Sequence, residues 1–183
     1  MWIFYIGIPI TLLLASYCFR RVKADYKEGE KLSFWTSVLA WIVYVPQIGL
    51  VIIAAVNSIW EIPVSSKLSL PLGILLIFLG SIFSVSGIFA FNSVKRMSGI
   101  KTNRLIRRGI YKWSRNPQNV GLCLMFLGVA VLGKSALALI LVIFFSIAFM
   151  IYVPFEEKHL LKIFGKEYQD YLDSTSRYFG FPK

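Results

Sequence analysis

The sequence contains one histidine, two cysteines and nine acidic residues among 183, and each scarcity closes off a class of chemistry. A single imidazole, His159, cannot seed a histidine-cluster metal site. Cys18 and Cys123 lie far apart inside apolar stretches, so neither a disulfide framework nor a cysteine-based metal site is expected. No glycine-rich phosphate loop and no Ser-His-Asp set is present, which leaves kinase and hydrolase chemistry without support. The acids are outnumbered by 20 lysines and arginines, giving a net charge of +11. There is no internal repeat and no low-complexity segment.

Apolar residues dominate instead. The chain has the length of one domain, is 57% hydrophobic and has a mean hydropathy of +0.67. Its few polar residues could not cover the surface of a soluble domain. A spanning helix needs roughly 20 apolar residues, and segments 2–19, 32–60, 68–91, 116–133 and 135–155 approach or exceed that length. The expectation is an all-α fold, an integral membrane bundle of five transmembrane helices with a cytoplasmic amphipathic C-terminal helix.

Residues 2–19 have no basic flank before them and are followed at once by Arg20, Arg21 and Lys23. A cleaved signal peptide has the opposite charge order, so this is expected to be a retained first helix with its N-terminus outside, followed by a charged loop over 20–33. Pro46, with Gln47 and Gly49 beside it, predicts a kinked or tilted second helix. The third segment is dotted with Gly73, Gly80, Ser81, Ser84, Ser86 and Gly87, small residues that let helix backbones approach closely. Gly133-Lys134-Ser135 marks a tight turn within a helical hairpin over 116–155.

Five crossings from an outside start put segments 20–33, 92–115 and 156–183 in the cytoplasm. These are the segments rich in lysine and arginine, while the outside turns carry only Lys67 and Lys134. The run from Lys95 to Arg115 holds eight basic residues and no acid. In so apolar a chain it fits a loop lying on anionic membrane lipids better than a nucleic-acid surface. Beyond it, Leu160, Leu161, Phe164, Tyr168, Tyr171 and Leu172 recur at helical spacing, which predicts an amphipathic tail helix over 156–173. The chain therefore reads as a single membrane domain, 1–183, with three N-terminal helices over 1–91 and a second half over 92–183.

The hairpin brings two polar blocks, 109–119 and 156–171, to one membrane face, where a soluble cofactor could meet a greasy acceptor. Gly109 permits a turn that a side chain would block. Pro117 suits the first turn of a helix, and Asn116 can cap it. The N–H groups at that helix start offer a seat for a carboxylate, although an interfacial cap with Arg115 explains the same residues. Glu156 and Glu157 are adjacent carboxylates at a membrane boundary, where unpaired charge is costly. They imply a cationic partner, either Arg115 and its neighbours or a bound ligand, and at a helix start they would also suit the dipole. His159 is expected on the surface, and Tyr111, Trp113, Tyr168 and Tyr171 at the interface.

Together the blocks resemble the integral-membrane methyltransferases of the isoprenylcysteine carboxyl methyltransferase and phospholipid methyltransferase superfamily, over roughly residues 99 to 182. The shared pattern is Asn103-Arg104-Leu105-Ile106-Arg107-Arg108-Gly109-Ile110-Tyr111, then Arg115-Asn116-Pro117, then Glu156-Glu157. Phe164-Gly165-Lys166-Glu167-Tyr168-Gln169-Asp170-Tyr171 and Arg177-Tyr178-Phe179 complete it in the same order. The resemblance implies S-adenosyl-L-methionine as cofactor and methyl transfer to a lipophilic acceptor at the cytoplasmic face. By the same carry-over, Asn103, Leu105, Ile106, Gly109 and Tyr111 line the adenosine site. Asn116 and Pro117, with Asn119 beside them, take the methionine end, Glu157 answers its ammonium, and Glu156 and Arg115 lie at the catalytic centre.

Three departures bear on the acceptor. Asn103 and Asn116 stand where histidine is commoner, Asn119 replaces a frequent tyrosine, and Tyr152 occupies the place of an arginine thought to steer a substrate carboxylate. Family weight puts a prenylcysteine-like carboxylate first, ahead of a phospholipid amine and a lipophilic thiol. A non-catalytic membrane scaffold or sensor is the alternative from another class. A sterol-reductase-like reading needs a much longer chain.

Overall fold

The computed structural model describes residues 1–29, 31–91 and 105–181, and the described chain is helical. In chain order the helices are α1 (Trp2–Glu28), α2 (Phe34–Val56), α3 (Ser66–Phe91), α4 (Pro117–Leu132), α5 (Ala136–Phe164) and α6 (Lys166–Ser174). A short 3-10 turn, Gly109–Lys112, precedes α4.

Four of these, α1, α2, α3 and α5, are long and apolar enough to cross a membrane. Their outer faces carry Trp2, Leu13, Trp35 and Phe89, each more than 70% exposed, a surface that water would not tolerate at this density. The fifth expected span, α4, has 16 residues and so a length of about 24 Å, short of a bilayer core of about 30 Å.

Helix ends depart from the sequence expectation in two informative places. The segment expected as a charged loop over 20–33 is mostly helix, because α1 continues through its basic residues to Glu28. Lysine, arginine and glutamate are good helix formers once a helix is running. The link to α2 shrinks to a few residues, closed by Ser33, whose N–H donates to Asp25 Oδ2 at 2.8 Å and whose Oγ accepts from Thr36 N at 3.2 Å. At the other end, α5 does not stop at the apolar boundary near Phe155. It runs to Phe164 and breaks at Gly165, where φ is +52°. The tail helix expected over 156–173 is thus two pieces. Glu156 and Glu157 lie deep inside α5 rather than at a helix start, so the dipole argument for them fails.

The main core joins the first turn of α1 to α2, α4 and α5 through Phe4, Val51, Ala54, Phe126, Ala138 and Phe145. α3 docks on α4 by backbone proximity. A Cβ at Gly80 would sit 2.5 Å from the Gly121 carbonyl, and one at Gly73 would sit 2.9 Å from the Gly128 carbonyl. The small residues of the third segment are therefore used for close packing. On the side away from the polar blocks, the two turns lock together. Ser135 Oγ donates to Ile59 O at 2.7 Å, Ile62 N to Lys134 O at 2.7 Å, and Ala136 N to Trp60 O at 3.1 Å. This fixes the hairpin that presents the start of α4 and the far end of α5 on one face.

Candidate functional site

The loop into α4 is built on conformation and burial. Gly109 has φ +64° and open space where a Cβ would stand, so its requirement is backbone freedom rather than room. Tyr111 is buried, and its carbonyl accepts a hydrogen bond from the Tyr171 hydroxyl at 2.7 Å. Burial pushes the ionisation of the Tyr111, Tyr168 and Tyr171 phenols above the ordinary tyrosine range, so all three are neutral. Pro117 opens α4 as expected and is fully buried. The local cap is Ser114, whose Oγ accepts from Asn116 N at 3.0 Å. Asn116 makes no side-chain cap bond. Its amide donates instead to the Arg177 carbonyl at 3.1 Å.

Arg115 and Glu157 form the centre of the face. Arg115 Nε and Nη2 donate to Glu157 Oε1 at 2.9 and 2.7 Å, with both side chains 8% exposed. Arg115 Nη1 donates to the carbonyls of Leu172 and Thr175, and its backbone N–H donates to Ser176 O. Arg177 then takes the other carboxylate oxygen, Nε and Nη2 lying 2.9 and 2.7 Å from Glu157 Oε2. The carboxylate in turn holds the Arg177 guanidinium above its ordinary value. One carboxylate thus bridges two guanidiniums, a charge-assisted geometry that fixes the loop, α5 and the tail in one register.

Glu156 is placed differently. One residue along a helix is a turn of about 100°, which takes it away from the arginines. Among the described residues it has no hydrogen bond and no ion pair. The Tyr26 and Tyr152 hydroxyls lie 3.1 Å apart. Tyr26 also stacks on His159, with ring centroids 3.9 Å apart and planes 13° from parallel. His159 is buried, not on the surface, because the unexpected last turns of α1 cover it.

The structure accordingly brings Gly109, Tyr111, Arg115, Asn116, Pro117, Glu156 and Glu157 to one face. Leu105, Ile106 and Asn119 are half-buried nearby in sequence, while Asn103 lies outside the described residues. Sequence reasoning named Arg177 and Tyr171 only within the shared motifs and the tail stripe, without a site role, and left out Ser114 and Tyr26. Charge counting could have found Arg177, since two acids beside one arginine call for a second cation. Tyr26 gave no signal, because its role depends on α1 outrunning its apolar segment.

A match to the phospholipid methyltransferase family covers residues 68–167, more than half of the chain, with α3 from its third residue and all of α4 and α5. The chain belongs to that family. It is also similar to the Protein-S-isoprenylcysteine O-methyltransferase of Saccharomyces cerevisiae (strain ATCC 204508 / S288c), with 29% identity over 119 residues. That alignment takes in 62% of this chain and 50% of the yeast protein, so the chain spans about half the length of the curated relative it matches. No solved structure matches. The family and the relative are methyltransferases, and with four membrane-length apolar helices they fit an integral membrane enzyme.

Proposed function

We propose that the chain is an S-adenosyl-L-methionine-dependent methyltransferase acting on a lipophilic acceptor at the cytoplasmic face. The observation that carries this reading is the Arg115–Glu157 pair inside the family's span, completed by Arg177 just beyond it, which gathers both polar blocks at one end of the bundle. In this reading the charge asymmetry of the sequence orients the N-terminus outside and the C-terminus inside, with α4 packed against α3 as a short fifth crossing.

The residues present fit the cofactor's chemistry. Leu105, Ile106, Gly109 and Tyr111 offer an apolar, aromatic edge for adenosine, and Asn116, Pro117 and Asn119 surround a helix start suited to a carboxylate. The two acids divide the work. Both oxygens of Glu157 are engaged by guanidinium, which supports a holding role for Glu157 and for Arg115. Glu156, with no ion pair among the described residues, is the acid left for a positively charged group. Bound there, the cofactor supplies a methyl group already activated on a sulfonium. The protein's part is to align the acceptor with it and exclude water, which Tyr26, Tyr152 and Phe155 do by closing the α1 side.

The curated relative's name points to a prenylcysteine-like carboxylate as acceptor. One observation favours an amine headgroup instead: Tyr152, in the place of the steering arginine, is hydrogen-bonded to Tyr26 and offers no cation to a substrate carboxylate. The test is methyl-labelled S-adenosyl-L-methionine given to the full chain in lipid nanodiscs with each acceptor. Label should enter the organic phase, base-labile if a methyl ester and base-stable if on nitrogen. A well-folded chain that labels neither acceptor contradicts the proposal.

A further inference from the structure

The segment after α6 folds back over the start of α4 and continues down the side of the bundle. Arg115 N donates to Ser176 O and Gly180 N to Trp113 O, both at 3.0 Å, so backbone bonds pin the segment at two points. Between them Arg177 reaches Glu157. The fold-back is tight, and a Cβ at Gly180 would collide with the Ser176 side chain.

Its end is apolar and largely uncovered. Phe179 is 58% and Phe181 77% exposed, on a ladder with Trp113, whose ring centroid lies 6.5 Å from Phe179 and 5.6 Å from Phe181. Phe179 also meets Phe83 of α3 at 5.9 Å. Phe83 precedes the end of α3 at Phe91 by eight residues, a depth of about 12 Å along the helix axis. The ladder is therefore continuous with the exposed apolar flank of a membrane-length helix, well below its polar end. Lys112, exposed beside Trp113, supplies the cationic rim expected at a headgroup layer.

We infer that residues 175–181 form a clasp held by the bilayer: Trp113, Phe179 and Phe181 insert at the lipid boundary beside α3, and this keeps Arg177 seated on Glu157. Interfacial aromatics are stabilised at this depth, and the backbone bonds of the clasp transmit that anchorage to the ion pair two residues away. The partner of this surface is lipid. Its depth can be read without any cofactor, so the inference stands or falls separately from the proposed activity.

The experiment uses the full chain in nanodiscs, with nitroxide labels on Phe181→Cys, on Phe89→Cys as a lipid-facing reference and on Lys166→Cys as a water-facing reference. The label at 181 should collide preferentially with oxygen, as at 89, and be shielded from a water-soluble nickel chelate. A label at 181 that behaves as at 166 overturns the inference. As a second readout, Phe179→Ser/Phe181→Ser should speed tryptic cleavage after Arg177 at least about tenfold in nanodiscs, the factor that 1.4 kcal/mol of lost anchorage gives. Unchanged cleavage would show that lipid does not hold the clasp.

Discussion

Glu157 is a single carboxylate between two guanidiniums, nearly dry on the Arg115 side and half open on the Arg177 side. Charge removed from such a bridge leaves the cations uncompensated, and breaking a buried pair costs about 3 kcal/mol or more. Glu157→Gln should therefore lower the melting temperature of the purified chain by several degrees. Glu156→Gln, which removes no hydrogen bond or ion pair among the described residues, should leave it within about one degree. Equal melting of the two variants would contradict the division between them. The sequence showed that the pair of acids needed a cation, and Arg115 was a candidate from the start. It did not show which acid took it, because that depends on a rotation of about 100° per residue about an axis whose orientation only packing sets.

At the scale of elements, α3 and α4 meet through glycines spaced seven apart, Gly73 and Gly80 on one helix facing Gly128 and Gly121 on the other. Gly121→Ala would press a methyl into the Gly80 carbonyl and Ser84, and overpacking of this kind costs about 1 to 3 kcal/mol. Gly49, inside α2, has nothing within 4 Å of its Cβ position, so Gly49→Ala should stabilise by up to about 1 kcal/mol through helix propensity. Thermal melting of both in the same detergent checks the contrast. Melting temperatures that shift together would mean the α3–α4 seam is looser than described. The small residues made this seam legible in advance. The helix ends were not, because hydropathy reports where apolar residues stop and not where hydrogen bonding stops. α1 outruns its apolar stretch to Glu28 and brings Tyr26 onto His159, and α5 outruns its own to Phe164.

Taken as a whole molecule, the chain keeps its apolar bulk in the helices and gathers its polar chemistry at one end. The loop before α4, the far end of α5 and the clasp after α6 meet there through a handful of ionic and backbone bonds. All-helical architecture and the family followed from the sequence because both rest on long-range order, namely apolar segment lengths and the succession of motifs. In the proposed function this face binds the methyl-transfer cofactor. The most direct measurement is calorimetry of S-adenosylhomocysteine with the full chain in nanodiscs, run beside Glu156→Gln and Glu157→Gln, with Gly49→Ala as control. Binding in the micromolar range is expected for the wild type and Gly49→Ala, weakened at least about tenfold, or 1.4 kcal/mol, in both glutamate variants. A folded wild-type chain that binds nothing, or glutamate variants that bind as tightly as the wild type, would contradict it.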